Sequence, residues 1–385
     1  MVDVTAMRKA FIGELAAKGK VRDPALIAAF ADVPRHCFVP SFFMPTTRLW
    51  WLAVDSRHPV YYPLVYADTA LTTQLAGGIE PDPDAGKIDG SATSGSNPPG
   101  LMAAMLEALD LSGTETVLEI GTGTGYNAAV LSHRLGAQRV TTIEIDPVMA
   151  ELARRRLAVC GYAPTVEIGD GEHGWDLGAP YQRVVGTCSV SRIPRAWIDQ
   201  TCDGGVIVAS LWRDLSTGPL VRLVVDSGAA RGRFLPEAGG FIPARSIVPN
   251  PLLTMEAISR EGDTRDAAVS SYVLDDAHSG FFIALQLRGV TSATFTPDGG
   301  GGEHLWLYAP DGSWARLDDI TMTVEQCGPR LLWDEVETAH KYWRGLESPT
   351  RDRIGLTVNR KGTHTFWVDT PQRPISTAQG TKKGT

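Results

Sequence analysis

The chain lacks three features that would mark whole classes of protein. Its five cysteines include no Cys-x-x-Cys pair and form no spaced set with histidine, which disfavours disulfide frameworks and zinc modules. The chain has fewer basic than acidic residues, with 36 Lys and Arg against 44 Asp and Glu, and this disfavours nucleic acid and anionic membranes as partners. No apolar run is long enough to cross a bilayer, and the amino terminus lacks the apolar core of a signal peptide. We expect a cytoplasmic protein that binds no metal, no nucleic acid and no membrane.

What the chain does have is length and ordinary globular composition. Its 385 residues, 43% of them hydrophobic, suffice for two or three domains with full cores. Residues 1–36 carry apolar side chains at helical spacing and predict two short amphipathic helices. Pattern changes along the chain predict three parts. They are a helical cap with a substrate loop (1–95), a central core (96–246) and a β-rich α+β accessory domain (247–385).

The central part alternates predicted helices and strands. The strand-like runs are TVLEI, RVTTIEI, TVEIG, RVVGTC and GVIVASL, and the helical stretches between them include YNAAVLSHRL and PVMAELARRRLAVC. Continuous β-branched runs separated by helices indicate a parallel sheet that is covered on both faces. The fold class is therefore α/β, with a Rossmann-like core.

From about residue 220 the pattern changes to short strands broken by glycine-rich turns. The runs LVRLVV, FFIALQLRGV, HLWLYA, RIGLTV and HTFWV are interpreted as strands, and LLWDEVETAHKYWRGL as a helix packed on them. Five tryptophans lie in this part. They suit either a hydrophobic core or a surface that recognises a peptide, and the spacing alone does not decide between the two. These residues are Trp306, Trp314, Trp333, Trp343 and Trp367.

A glycine-rich turn, GTGTG, follows the first strand of the core and precedes a helix. Such a turn directs backbone N–H groups and a positive helix end at a ligand. The spacing differs from the Gly-x-Gly-x-x-Gly of dinucleotide sites, and Glu119 lies inside the strand just ahead of it. A buried carboxylate at this position favours a ligand that carries an ammonium group over one that presents a pyrophosphate.

Two further acids follow the next two strands. Glu144 ends the second strand about 20 residues after the glycines, where a ribose diol is gripped in related folds, and Asp170 follows the third. Ammonium, ribose and adenine sites in this order fit S-adenosylmethionine. The predicted cofactor-binding residues are Glu119, Gly121, Thr122, Gly123, Gly125, Tyr126, Asn127, Glu144, Ile145, Gly169, Asp170 and Gly171.

Five ordered blocks resemble the protein-L-isoaspartate O-methyltransferase family. They are VPRHCFVP (33–40), YADTAL (66–71), VLEIGTGTGYNAAVL with VTTIEIDP and the GDG turn, the Ile-Pro…Gln…Gly-Gly segment that starts at Ile193, and Phe-Ile-Pro (241–243). The resemblance covers about residues 20–246. It implies an enzyme that uses S-adenosylmethionine to methylate a carboxylate of aspartate or isoaspartate in a peptide or protein. Gln182 departs from the acid usual in such methyltransferases, and we interpret it as structural.

The resemblance also implies an acceptor loop. The family has a Thr-x-Ser-x-Pro loop before the first core helix, and this chain has SATSGSNPP (91–99) there. Counting back from the helix places Asn97 where the family has serine, so either Ser96 is the hydrogen-bond donor to the acceptor or Asn97 has replaced it. The predicted catalytic residues are Ser96, with Ser94 and Asn97 as neighbours.

The part beyond residue 246 resembles an extended actinobacterial form of the family. That form is associated with ribosomally made peptides such as lanthipeptides, lasso peptides and graspetides, and it methylates an aspartate that then closes to an aspartimide. The alternatives are a repair enzyme for isoaspartate in damaged proteins and, in another class, a non-catalytic cofactor-binding scaffold. The sequence blocks that resemble the family do not distinguish an enzyme that modifies a peptide from one that repairs isoaspartate.

Overall fold

The fold was determined as a computed structural model that describes residues 3–46, 50–216, 218–237, 239–247, 261–295 and 304–376. Three helices open it: α1 (Val4–Ala17), α2 (Pro24–Asp32) and α3 (Arg35–Phe38). The side chain of Asp23 accepts a hydrogen bond from the Ala25 N–H and so caps α2, which starts at a proline. The two helices predicted for residues 1–36 are α1 and α2.

A five-stranded antiparallel sheet follows, which the sequence did not predict. Its strand order is β4-β2-β1-β3-β5, and the short helix α4 (Tyr61–Val65) connects β2 to β3. The described part of residues 1–95 therefore combines helices with a β-sheet, where the sequence predicts a helical cap and a substrate loop. The strands are β1 (Ser41–Pro45), β2 (Trp50–Asp55), β3 (Leu71–Leu75), β4 (Lys87–Asp89) and β5 (Ala92–Ser96).

The predicted Rossmann-like core is confirmed. Five neighbouring strands are parallel, in the order β10-β9-β6-β7-β8, and two antiparallel strands, β11 and β12, extend the sheet beyond β10. The strands are β6 (Val117–Ile120), β7 (Val140–Glu144), β8 (Thr165–Ile168), β9 (Tyr181–Val190), β10 (Thr201–Leu211), β11 (Leu220–Asp226) and β12 (Ala229–Phe234). The helices are α5 (Pro99–Ala108), α6 (Tyr126–Leu135), α7 (Pro147–Val159) and α8 (Arg195–Asp199).

Alternate residues of the core strands point into two hydrophobic clusters. Val206 and Val208 of β10 belong to one cluster and Ile207 and Ala209 to the other, so both faces of the sheet are covered. This explains why the strands read as unbroken apolar runs.

The carboxyl-terminal part contains a second antiparallel sheet of order β13-β17-β16-β15-β14, with α11 packed on it as predicted. The run FFIALQLRGV, predicted as a strand, lies mostly in helix α10. Every residue of that helix is buried, so its sequence carries no helical period. The elements are β13 (Asp263–Asp266), α9 (Tyr272–Asp275), α10 (Ser279–Gln286), β14 (Thr291–Phe295), β15 (His304–Tyr308), β16 (Trp314–Asp318), β17 (Thr323–Cys327) and α11 (Leu332–Gly345).

The last two strands, β18 (Ile354–Val358) and β19 (His364–Val368), return to the core. β18 pairs with β12, so the central sheet has nine strands in the order β19-β18-β12-β11-β10-β9-β6-β7-β8. Phe281 and Phe282 of α10 pack in the same cluster as the core strands. Strands β18 and β19 and helix α10 are thus continuous with the core, whereas the sequence predicts a separate accessory domain over residues 247–385.

Candidate active site

A cleft of about 1070 Å³, open solvent included, lies at the carboxyl ends of the parallel strands. This is where ligands bind in open α/β sheets. The glycine turn between β6 and α6 lines one wall of the cleft. Gly125 precedes α6 with a φ of 85°, and a Cβ on it would meet the Cβ of Ala153 at 3.3 Å, so glycine is needed there.

Glu144 stands at the end of β7 beside this turn. Its Oε2 accepts a hydrogen bond from the Gly123 N–H (2.8 Å), and its Oε1 accepts one from the Asp146 N–H (3.1 Å). Within the described part of the chain, the carboxylate is held at the cleft wall by backbone donors alone. It can therefore accept hydrogen bonds from a ligand diol without first breaking a side-chain ion pair.

Glu119 and Asn127 form a buried pair at the floor of the cleft. Asn127 Nδ2 donates to Glu119 Oε1 at 2.7 Å. Among the described residues, Glu119 Oε2 and Asn127 Oδ1 have no hydrogen-bond partner. Burial is the main cause that raises the pKa of Glu119, to about 7. Two buried acceptors without donors are complementary to an ammonium group, so these residues fit the amino end of S-adenosylmethionine.

Asp170 lies at the third strand end, as predicted. Its Oδ1 caps the following 3-10 turn by accepting the Glu172 N–H at 2.9 Å, and its side chain is 41% exposed at the cleft. Beside it, the Gly171 carbonyl accepts a hydrogen bond from Trp197 Nε1. A Cβ on Gly171 would meet Ile120 Cγ2 at 2.3 Å, so only glycine fits this turn.

The structure brings ten of the twelve predicted cofactor residues to the cleft lining. The other two, Gly125 and Gly169, act through the backbone: the Gly169 N–H donates to the Glu144 carbonyl at 2.9 Å. The ten lining residues are Glu119, Gly121, Thr122, Gly123, Tyr126, Asn127, Glu144, Ile145, Asp170 and Gly171.

All three predicted acceptor-loop residues also line the cleft. Ser94 Oγ lies 3.9 Å from the point where a Cβ on Gly123 would be, so the loop packs directly against the glycine turn. Ser96 is 4% exposed, and its Oγ accepts a hydrogen bond from Arg35 Nε at 3.2 Å. The loop and the cofactor half of the cleft therefore face each other within contact distance.

A segment that sequence reasoning did not assign to the site crosses one side of the cleft. Ile242 and Ala244 bond to Ser189 through the backbone, and Arg245 Nη2 donates to Asp146 Oδ2 at 3.0 Å and to Gln74 Oε1 at 3.1 Å. The Phe-Ile-Pro block (241–243), which carries part of the family resemblance, lies in this segment. No periodic pattern in the sequence predicts that the residues after it contact a strand end almost 100 positions earlier in the chain.

The remaining site predictions concern side chains outside the cleft. Gln182 Oε1 accepts the Thr116 N–H at 3.1 Å, a contact that fits the structural role predicted for it. Within the described segments no three metal-binding side chains come together, and none of the helices there is both long and apolar enough to cross a membrane.

The tryptophans of the carboxyl-terminal part mostly belong to hydrophobic cores. Trp314, Trp333 and Trp367 are at most 3% exposed, whereas Trp306 and Trp343 are half-buried. Of the two interpretations open from the sequence, burial favours core packing for the first three.

Comparison with known proteins adds a family-level match. The model of the family protein-L-isoaspartate(D-aspartate) O-methyltransferase matches residues 83–217. The protein-L-isoaspartate O-methyltransferase of Azorhizobium caulinodans is 36% identical over 242 residues, which cover 61% of this chain and 94% of that protein. The enzyme of the same name from Ignicoccus hospitalis is 30% identical over 239 residues and is covered over 96% of its length.

The fold has a counterpart among solved structures. A protein-L-isoaspartate O-methyltransferase superposes with a TM-score of 0.54 at 23% identity, and the match covers 94% of this chain and all of the other. At that identity the likeness shows the fold alone. Its coverage extends well beyond the residues that the family model matches.

Proposed function

The chain belongs to the protein-L-isoaspartate O-methyltransferase family, and from this premise we propose that its acceptor is the side-chain carboxylate of an aspartate in a constrained, ribosomally made peptide. S-adenosylmethionine supplies the methyl group when it is bound. The ester formed on the acceptor then converts a poor leaving group into a good one. The next backbone nitrogen attacks the ester carbonyl, methanol leaves, and an aspartimide results.

The observation that carries the proposal is the contrast between the two sides of the cleft. On the cofactor side, the acids and glycines keep the family pattern. On the acceptor side, residues 76–90 form a long connection between β3 and β5; its strand β4 pairs with β2, and Trp51 Nε1 donates to the Gly90 carbonyl at 2.8 Å. The connection does not line the cleft, but it leads directly into β5, the strand that carries the acceptor loop. A repair enzyme that must accept many unrelated damaged sites has little use for so long a connection next to the acceptor loop.

The residues of the cleft are suited to methylating a carboxylate without a strong base. The nucleophile is already ionised, so positioning and exclusion of water supply most of the acceleration. Glu119 and Asn127 would hold the amino end of the donor, Glu144 its ribose and Asp170 its adenine. The Ser94, Ser96 and Asn97 side chains would donate hydrogen bonds to the carboxyl oxygen that is not methylated.

Repair of isoaspartate in damaged proteins is the second candidate. The likeness to a solved protein-L-isoaspartate O-methyltransferase extends over 94% of this chain, so the fold of the carboxyl-terminal region is no argument for modification over repair. The non-catalytic scaffold is set aside, because the chain belongs to a family of enzymes.

Mass spectrometry of peptides incubated with the protein and S-adenosylmethionine tests the proposal. Matched linear peptides that contain aspartate or isoaspartate are compared with a macrocyclic peptide that contains aspartate, and the same reactions without S-adenosylmethionine serve as the control. We expect methyl addition followed by loss of methanol on the macrocycle and no change on the linear peptides. Methylation of the linear isoaspartyl peptide alone would establish repair instead.

A further inference from the structure

Arg35, in helix α3, places its guanidinium beneath the acceptor loop. The residue is 1% exposed, and its nitrogens donate to six oxygen atoms at 3.0–3.2 Å. Arginine has five N–H donors, so the six contacts use all of them, and one Nη2 hydrogen is shared between two acceptors. The acceptors are the carbonyls of Val65, Ala67, Thr69, Ser96 and Asn97 and the hydroxyl of Ser96.

All six acceptors are neutral, which is unusual for a buried cation. Buried charges are normally paired, because removing an ion from water costs several kcal/mol. The nearby Asp68 directs its Oδ1 to the Gly100 N–H at 2.7 Å, at the start of α5. Burial lowers the pKa of Arg35 to about 10, so the guanidinium is still charged at neutral pH. Among the described residues, the guanidinium thus donates its hydrogen bonds to carbonyl and hydroxyl oxygens alone, while the Asp68 carboxylate and the Tyr126 ring, 6.0 Å away, stabilise its charge without a hydrogen bond.

The contacts join two separate segments of the chain. One is the turn at residues 65–69, before β3, and the other is the end of β5, at Ser96 and Asn97. Because the guanidinium is planar and rigid, it fixes both segments relative to α3. The backbone of the acceptor loop is thereby held from below by one side chain.

The bond to Ser96 also determines what that hydroxyl can do. Arg35 Nε donates to Ser96 Oγ, so a lone pair of the hydroxyl is occupied. A hydroxyl has one hydrogen to donate, and here it is left for a ligand. A donor that itself accepts from a cation is polarised, and it forms a stronger bond to an anionic oxygen.

We infer that Arg35 is a positioning residue for the acceptor carboxylate: it fixes the loop through the Ser96 and Asn97 carbonyls and orients the Ser96 hydroxyl as a donor. The inference rests on the proposed role of this loop in binding the acceptor, but not on whether the acceptor is aspartate or isoaspartate. Arg35 is not among the residues that line the cleft. Its substitution should act on the acceptor and leave donor binding intact.

The test compares Arg35→Lys, which keeps the charge and loses the planar fork, with Arg35→Met, which loses both. Arg351→Lys is the matched control, since Arg351 is 4% exposed and also donates to two backbone carbonyls, and neither it nor its two partners line the cleft. With the peptide that wild-type protein methylates, we expect kcat/KM to fall about 10- to 100-fold in Arg35→Lys and further in Arg35→Met. The Kd for S-adenosylmethionine should stay within about twofold of wild type, because the glycine turn and its acids are untouched.

Amide hydrogen exchange provides a second readout that needs no acceptor. We expect faster exchange over residues 92–97 in Arg35→Lys, unchanged exchange in β6 and β7, and no effect of Arg351→Lys on either region. Unchanged loop exchange together with wild-type kcat/KM would overturn the inference. So would a loss of donor affinity as large as the loss of kcat/KM, because that would make Arg35 a general structural residue. Failure to methylate a macrocycle would bear on the proposed substrate and leave the exchange result standing.

Discussion

Replacement of Glu119 by glutamine tests the physical basis of cofactor binding. The carboxyl is fully buried, and its pKa is raised from 4.5 to about 7, mainly by desolvation. Relative to a carboxyl group in water, the empty cleft therefore shifts the balance between the two forms towards the neutral one by about 3 kcal/mol. A ligand ammonium next to Glu119 Oε2 would reverse this preference, since it pairs with the ionised form. Binding of S-adenosylmethionine should therefore require Glu119 to lose its proton.

The expected pH dependence follows from the ionised fraction. With a pKa of about 7, roughly 3% of Glu119 is ionised at about pH 5.5 and roughly 75% at about pH 7.5. The ligand amino group, which loses its own proton near pH 8, offsets part of this rise. We predict that affinity increases roughly 10- to 20-fold over that interval. Isothermal titration calorimetry in buffers of different ionisation enthalpy would also show a proton released on binding.

Glu119→Gln should remove this pH dependence and weaken binding at about pH 7.5. The stability of the empty protein should change in the opposite direction. Because the folded-state pKa is raised, the stabilisation from Glu119 is fully present below about pH 4.5 and is lost as the pH rises through about 7. The variant should therefore melt at a higher temperature than wild type at about pH 8. Affinity in the wild type that does not vary with pH, or a variant that binds as well as wild type, would refute the reasoning.

Three further predictions concern the other parts of the structure. Glu144→Ala should weaken binding of S-adenosylmethionine at least about tenfold in calorimetry, because two backbone donors hold this carboxylate at the cleft. An unchanged Kd would argue against the role of Glu144 in binding the ribose. Ser96→Ala should lower kcat more than Asn97→Ala while both keep donor affinity, and the reverse order in steady-state kinetics would assign the donor to Asn97. Deleting residues 248–385 should abolish cooperative thermal unfolding, because the deletion removes β18, β19 and the phenylalanines of α10 from the core. A soluble, active fragment would contradict this prediction.

The sequence predicted those parts of the fold that local pattern determines. Unbroken β-branched runs indicated the parallel core, and the order of the acids after its strands located Glu119, Glu144 and Asp170 correctly at one edge. These predictions succeed because the carboxyl ends of parallel strands meet wherever the crossovers are helical. Each of these predictions can be made from one strand and the turn after it, without knowing the contacts between distant segments.

The features that the sequence missed depend on such contacts. The helix α10 is buried on every side, so its residues show no period that separates it from a strand. Strand β18 joins β12 across more than 120 residues, and Arg245 reaches Asp146 across 99. The register of the acceptor loop stayed ambiguous for the same reason, because the bond from Arg35 to Ser96 joins residues 61 positions apart.

The most direct test of the account is an experimental structure of the protein bound to S-adenosylhomocysteine. The account predicts the ligand amino group within hydrogen-bond distance of Glu119 Oε2 and Asn127 Oδ1, the ribose hydroxyls on Glu144, and the sulfur facing the loop from Ser94 to Asn97. An amino group that contacts neither Glu119 nor Asn127, or a sulfur turned away from the loop, would contradict it.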